Sequence, residues 1–398
     1  MPATRGQTSA PLDVYVVCLP GLEPLVVAEL VALGVPRPRP GRGGVSARMT
    51  LRQLYAANLH LRTATRLVVR FAEFTATTFA ELESAARTLA WDDWVLPGWP
   101  VTFRVTSHRS ALHHTDAIAE RLHRAADRPP PVDGDDRDVA LLVVRVDRDR
   151  FSLSVDSSGE PLHKRGWRVE VAKAPLRETL AAALLLGTGW DGSTPLVDPF
   201  CGSGTIPIEA ALLARRRAPG AGRGFAFADW PTFRPGTWAS VTGEAIDLER
   251  PGGFVPIVAA DRDAGAVAAV RANAERAEID DDVEVRLASV SDLVPPAGGA
   301  VGSVLTNPPY GVRIGGGELR NLYARTGQVL GQRFAGWTVG MLVADERLAG
   351  HAGLALEPVL RTTNGGIDVT LLAGRAAGVA RPRRPPRARR DRRGPAPR

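Results

Sequence analysis

The sequence predicts an α/β protein in two unlike parts. A mixed α+β region runs to about residue 157, and a parallel, doubly wound sheet finished by an antiparallel hairpin follows. Three observations predict this. Beyond about residue 175 short apolar runs alternate with helical patterns, the rhythm of strands joined by crossover helices. Two turn-like motifs, DPFCGSGT at 198–205 and TNPPY at 306–310, each follow such a run. Near the end, TNGG at 363–366 separates two β-rich runs, which is a hairpin signal.

The elements read in order as follows. Val14–Leu19 is a strand, and after a Pro-Gly turn Glu23–Leu33 is a helix ended by Gly34. Pro36–Gly44 reads as a loop, Thr50–Leu61 as a helix and Thr65–Phe74 as a strand. Phe79–Ala90 places Phe79, Leu82, Ala86 and Leu89 on one helical stripe. Pro100–Thr106, Val139–Val146 and Phe151–Asp156 are strands, Thr115–Ala126 is a helix, and Arg128–Asp138 is a surface loop. In the second part the strands are Pro195–Asp198, Pro256–Ala260, Val283–Leu287, Gly302–Thr306 and Trp337–Val343. The helices are Ile206–Arg217, Ala264–Arg276 and Leu319–Arg333, and Leu356–Thr362 with Ile367–Leu372 forms the hairpin. The insertion Arg215–Gly253 carries Trp230, Phe233 and Trp238 and reads as a cap of its own. No internal repeat is visible.

Composition narrows the class. The chain has 398 residues, 44% hydrophobic and 23% charged, which is ordinary for a globular protein and more than one core usually carries. Two cysteines, Cys18 and Cys201, exclude a disulfide framework and a cysteine-based zinc site. Leu293–Val312 is free of charge, but its prolines and glycines forbid a membrane helix. The first residues lack the apolar core of a signal peptide, so a cytoplasmic protein without a membrane partner is expected. The net charge of +7 is uneven. From Arg381 onward nine arginines face one aspartate, and the rest of the chain carries a net −1. The Arg/Pro tail (379–398) is expected to be disordered and to act as a nonspecific phosphate-binding arm.

The first motif sits where a strand gives way to a helix. Gly202 and Gly204 let the backbone turn sharply and approach a ligand, and Thr205 is placed to cap the helix. Pro207 takes the place of the third glycine of a dinucleotide fingerprint, which argues against a pyrophosphate cofactor. Asp198 suits a cationic amino-acid group instead. Asp261 ends the next strand, where an acid can hold ribose hydroxyls. It comes 63 residues after Asp198, and the insertion accounts for the gap. Cys201 has no visible base partner and reads as a packing residue.

The second motif has chemistry of its own. An exocyclic amine on a base is a weak nucleophile because its lone pair is delocalised into the ring. The Asn307 side-chain oxygen and the Pro308 carbonyl can accept its two N–H bonds, in a loop stiffened by two prolines. Tyr310 offers a face on which a base can stack. With an in-line methyl donor, such a site needs positioning more than a strong base.

DPFCGSGT followed by TNPPYG resembles the class I S-adenosylmethionine-dependent methyltransferases that act on exocyclic amines. GEPLHKRG at 159–166 and APLRETLAA at 174–182 are similar to the linker and leading helix of THUMP-containing RNA guanine-N2 methyltransferases. LRTATR at 61–66 and Ser107–Ala119 are the best matches to the N-terminal region of that family. The resemblance covers nearly the whole chain except the tail. It implies a Rossmann-like class I methyltransferase domain (179–378) after an α+β ferredoxin-like (1–60) and THUMP-like (61–157) region and a linker (158–178). It implies S-adenosylmethionine as co-substrate, no metal, and guanine N2 in structured RNA as acceptor. Large-subunit rRNA stands slightly ahead of tRNA. By resemblance Asp198, Phe200, Gly202, Gly204, Thr205, Asp261, Ser289 and Asn307 line the donor site, Arg177, Glu178 and Thr179 cover the methionine end of the donor, and Asn307, Pro308 and Tyr310 meet the base. Ser289 stands where many relatives have an aspartate that contacts adenine, with Asp292 three residues on. Large-subunit rRNA enzymes of this family can carry a second methyltransferase module, for which the chain is too short, and a monomer is expected.

Four histidines, His108, His113, His114 and His123, crowd one stretch. No thiol or obvious carboxylate joins them, so with Arg104, Arg109, Arg121 and Arg124 they read as an RNA-facing surface rather than a metal site. Trp91 and Trp94 read as core. Asn-Pro-Pro-Tyr is shared by enzymes acting on guanine N2, adenine N6 and protein glutamine, and the N-terminal half disfavours protein. An RNA-binding protein that has lost catalysis is the reading from a different class.

Overall fold

The computed structural model describes residues 10–132, 139–169, 176–253, 255–310 and 316–376. The expected arm at 379–398, part of the Arg128–Asp138 loop, and residues 170–175 lie outside them. The N-terminal part contains β1 (Leu12–Cys18), α1 (Glu23–Ala32), β2 (Arg39–Gly41), β3 (Gly44–Met49), α2 (Leu51–His60), β4 (Ala64–Thr75), α3 (Phe79–Arg87), β5 (Val101–His108), α4 (Thr115–Ala126), β6 (Ala140–Asp147) and β7 (Arg150–Asp156). Its sheet runs β2-β3-β1-β4-β7-β6-β5 and is antiparallel except for the β5–β6 pair. Strand β4 pairs with β1 on one side and β7 on the other, so one continuous sheet spans both N-terminal regions. Capping boxes start α2 (Thr50 with Gln53) and α3 (Thr78 with Glu81), each satisfying two otherwise unpaired backbone donors.

The C-terminal part contains α5 (Glu178–Gly187), β8 (Leu196–Asp198), α6 (Thr205–Ala214), α7 (Pro235–Leu248), β9 (Ile257–Asp261), α8 (Ala264–Arg276), β10 (Val283–Leu287), β11 (Ser303–Thr306), α9 (Gly316–Arg333), β12 (Thr338–Val343), α10 (Glu346–Gly350), β13 (Leu356–Asn364) and β14 (Ile367–Arg375). The sheet order is β10-β9-β8-β11-β12-β14-β13. The first five strands are parallel and the last two form the antiparallel hairpin, as the sequence predicts. The order reverses between β8 and its neighbours β9 and β11. A crevice therefore opens at their carboxyl ends, where such sheets bind ligands.

Several expectations change. Residues 36–44 are not all loop, because β2 lies within them, and β3 follows unannounced. Helix α6 stops at Ala214 rather than Arg217. The insertion is not a free-standing cap over the crevice. It contains α7, started by a proline in its first turn, and its aromatic rings close on the N-terminal part. Tyr55 of α2 stacks on Phe227 at 4.4 Å between ring centroids, with Phe233 and Trp238 beside it. Its hydroxyl accepts a hydrogen bond from the Arg234 backbone N–H (3.1 Å). Trp91 is core, whereas Trp94 is half-buried and meets Trp230 edge-on at 5.2 Å.

Buried charge completes the junction. Arg165 of the linker lies 3.2 Å from Glu209 of α6, and it also donates to the carbonyls of Leu162 and Arg62. Arg62 lies 3.6 Å from the other Glu209 oxygen and donates to the Arg217 carbonyl. Breaking one partner of such a group leaves an uncompensated buried charge, which is strongly destabilising. Tyr55→Ala should cost ~3–5 kcal/mol through the lost aromatic packing, and Tyr55→Phe only about 1 kcal/mol through the lost hydrogen bond. Urea unfolding of the two variants checks this, and equal losses would contradict it.

Candidate active site

The donor-side loop leaves β8 at Asp198 and enters α6 at Thr205. Gly202 and Gly204 adopt left-handed conformations (φ +53° and +87°) that favour glycine. A Cβ on Gly204 would also come within 2.9 Å of Val270. Gly204, not Thr205, is the helix N-cap. The Thr205 hydroxyl instead donates to the Leu176 carbonyl (3.4 Å) and accepts from Arg168, so it fastens the linker to the loop. Asp261, at the end of β9, accepts from Gly202 N–H (3.1 Å) with one oxygen and from Asp263 N–H (3.0 Å) with the other. Each oxygen keeps a lone pair for a further donor.

Asp198 is the pivot of the site. It is fully buried, and its Oδ1 accepts from the Thr306 hydroxyl (2.6 Å) and the Phe200 N–H (3.1 Å). Oδ2 is buried and has no hydrogen-bond partner among the described residues. Leaving such an atom unpaired costs about 1–3 kcal/mol or more, a cost that a bound donor group would relieve. Burial pushes the Asp198 carboxyl up to about 7, and the nearby Asp261 adds to the rise. Glu178, at the start of α5, is also buried and pushed up to about 7 by desolvation. Arg168 lies 3.2 Å from one of its oxygens, and the other oxygen has no hydrogen-bond partner among the described residues. Thr179 beside it is buried. A cationic amino-acid group with an attached nucleoside fits this acidic, acceptor-rich set.

The acceptor-side loop leaves β11 at Thr306. Because β8 and β11 pair with Val197 opposite Val304, the two motifs end side by side. The Asn307 side-chain oxygen is buried without a hydrogen-bond partner among the described residues. Pro308 is buried, and Tyr310 is half-buried with its hydroxyl accepting from the Asn364 side-chain amide at the hairpin tip (3.0 Å). The structure therefore brings Asp198, Phe200, Gly202, Gly204, Thr205, Asp261, Asn307, Pro308 and Tyr310 to one crevice. Ser289 follows β10, and its hydroxyl donates to Asp292 (2.6 Å), so that pair presents the acid three residues late. Cys201 is buried, and burial pushes its thiol well above its usual range, as a packing residue requires.

Sequence reasoning missed Asn273 of α8. It is fully buried, and its amide donates to the Ser203 carbonyl (3.1 Å) while its oxygen accepts from Val169 N–H (3.3 Å). It thus holds the linker and the glycine loop together. Nothing in its local sequence distinguishes it from a surface asparagine.

The expected RNA-facing set does not share one surface. Phe103 of β5 faces His123 of α4 (rings 4.7 Å apart), so Arg104 points from the opposite face of the sheet. Arg121 lies over the Phe79 ring and pairs with Glu83 (2.7 Å), and Arg124 pairs with Glu120 (2.9 Å). Arg109 and His113 are exposed beyond β5, where His113 and His114 have rings 4.2 Å apart. His108 does have a carboxylate neighbour, Asp147 at 3.0 Å. Among the described residues no group of three or more His, Cys, Asp or Glu could hold a metal ion. No helix among them is long and apolar enough to cross a membrane.

Comparison with known proteins gives the same picture. Residues 165–372 match the RMKL-like methyltransferase domain, and residues 13–68 match the RlmL ferredoxin-like domain. The chain is 35% identical over 381 residues to the ribosomal RNA large subunit methyltransferase K/L of Syntrophotalea carbinolica. That match takes in 91% of this chain and 53% of the relative, so the chain spans about half its length. A Synechocystis protein provisionally named as an RNA methyltransferase is 33% identical, across 94% of this chain and 99% of its own. A provisionally named methyltransferase solved in complex with SAH superposes with a TM-score of 0.83 at 27% identity, covering 94% of this chain and all of that one.

The raised Asp198 carboxyl sets a pH dependence. Below about 7 the buried group holds its proton and is neutral, and above it the group is ionised and attracts a cation. Affinity for S-adenosylmethionine should therefore rise as pH increases through 7, with proton release on binding. Asp198→Asn should bind ~10–100-fold more weakly, as expected for a lost hydrogen bond to a charged group, and with a flatter pH profile. Calorimetry at several pH values checks this, and an unchanged profile in Asp198→Asn would place the titration elsewhere.

Proposed function

The chain belongs to the RMKL-like methyltransferase family, and on that premise we propose that it transfers a methyl group from S-adenosylmethionine to the exocyclic N2 amine of a guanosine in structured RNA. Large-subunit rRNA is the foremost substrate, in keeping with the name of the Syntrophotalea relative. The observation that carries the reading is a pair of buried acceptors at adjacent strand ends, Asp198 Oδ2 and Asn307 Oδ1, without hydrogen-bond partners among the described residues.

The bound donor supplies an electrophilic sulfonium methyl. The rest of the work belongs to the chain. Asp198 and Asp261, with the Phe200–Gly204 turn between them, hold the donor. Ser289 and Asp292 face its base. The Asn307 oxygen and Pro308 carbonyl accept the two N–H bonds of the guanine amine and so turn its lone pair toward the methyl group. Tyr310, held by Asn364, supports the flipped base by stacking. As the new N–C bond forms and the sulfonium–methyl bond breaks to leave a neutral thioether, the amine would become cationic, and the same two acceptors would stabilise its protons before one is lost to solvent. The THUMP-like region grips RNA through phosphates and shape.

Asn307→Ala should slow methyl transfer on the order of a hundred- to a thousandfold, the effect of removing one aimed hydrogen-bonding group from a reacting centre. Donor affinity should change little. Single-turnover transfer from labelled S-adenosylmethionine to rRNA lacking the modification measures the first, and calorimetry the second. Normal turnover in this variant would exclude Asn307 from holding the reacting amine.

A further inference from the structure

Away from the crevice, a cavity lies between one face of the N-terminal sheet and the insertion. Its volume is about 870 Å³, enough for one or two nucleotides, and domain junctions are frequent binding sites. One wall is the sheet face, with Thr102 and Arg104 of β5 and Leu141 of β6. The other is the 223–230 segment, and the linker from Gly159 to Gly166 forms the floor.

The side chains divide into those that build the wall and those left over. Arg66 is ion-paired with Asp156. Arg223 donates to the carbonyls of Ser158, Glu160, Pro161 and Lys164 and lies 5.1 Å over the Phe225 ring. Trp94 and Trp230 occupy one another. Two groups remain. Trp99 lines the cavity half-buried, and it is the one cavity aromatic with no ring neighbour among the described residues. Arg104 is exposed and has no ion-pair or hydrogen-bond partner among the described residues. Lys164 also lines the cavity and is ion-paired with the exposed Glu160. Leu96 and Val139 at the rim are 41% and 42% exposed.

A half-buried indole with no ring neighbour, a guanidinium with no partner among the described residues and an apolar rim around a nucleotide-sized cleft match an unpaired base with its phosphate. An A-form duplex is too wide to enter. We infer that this cleft is a second RNA site, which takes an unpaired nucleotide of the substrate by stacking on Trp99 and pairing its phosphate with Arg104. The inference rests on the RNA-methyltransferase reading for its choice of partner. The floor of the cleft continues directly into Arg168 and Val169, which touch the donor loop through Thr205 and Asn273. A nucleotide held here is thus anchored to the linker that supports the reacting site.

The test uses the full chain with a fluorescein-labelled decauridylate and, separately, a blunt RNA duplex, read by anisotropy at fixed salt. Trp99→Ala and Arg104→Ala should each weaken decauridylate binding about tenfold, within the range measured for loss of one base stack. Duplex binding and S-adenosylmethionine affinity should stay unchanged, and Trp99→Phe should restore most of the single-strand affinity. Arg87→Ala, on α3, is the surface control. Wild-type decauridylate binding by both variants would overturn the site, as would equal losses for the duplex, which would mark a nonspecific phosphate surface. If single-strand binding falls as expected but no RNA is methylated by the wild type, the proposed function fails and the cleft stands. If methylation proceeds and the variants bind like the wild type, the cleft fails and the function stands.

Discussion

The hydrogen bond between Asp198 and Thr306 is the contact on which the rest of the site depends. It joins two loops that lie 108 residues apart in the chain and side by side in the sheet. One oxygen of the carboxylate is fixed by the acceptor-side strand and by its own loop, which leaves the second oxygen buried and without a hydrogen-bond partner among the described residues. A cationic ligand that engages this oxygen is also positioned against Asn307. Under the proposed function, the binding of one reactant and the placement of the other would share a single side chain, which is how an enzyme converts proximity into rate.

That arrangement is only as rigid as its supports. Asp261 holds Gly202, Asn273 holds Ser203, and Arg168 holds Thr205, so nearly every residue of the glycine turn is tied to a different element. The linker takes part in two of those ties and then runs back to the buried Arg165–Glu209 pair at the junction with the N-terminal part. The Tyr55 cluster fastens the insertion to α2 across the same junction. Two sheets with separate topologies are in this way held as one frame.

The run of parallel strands, the hairpin and both motif loops were legible because each carries a strong local signal: apolar runs of strand length, glycines at a tight turn, prolines that stiffen a loop. What was illegible has physical reasons. Strand β3 alternates Val45, Ala47 and Met49 inward, but its outward Ser46 and Arg48 and the flanking Gly44 make a short, polar-looking stretch. Helix α7 contains Gly236, Gly243 and several β-branched residues, so its helicity comes from packing against α2 more than from propensity. The half-buried Arg62 and the buried Arg165 and Asn273 look like surface residues in an Arg-rich chain. The arginines of α4 misled in the opposite sense, since Glu83 and Glu120 neutralise them in place and Arg104 lies on the other face of the sheet.

The central claim, that the paired acceptors present an exocyclic guanine amine to a methyl donor, is tested most directly by nucleoside mass spectrometry. Ribosomal and transfer RNA would be separated from cells with and without the gene. The account predicts loss of N2-methylguanosine from the large-subunit rRNA pool alone. N2-methylguanosine unchanged in both pools, with N6-methyladenosine falling instead, would contradict the guanine assignment.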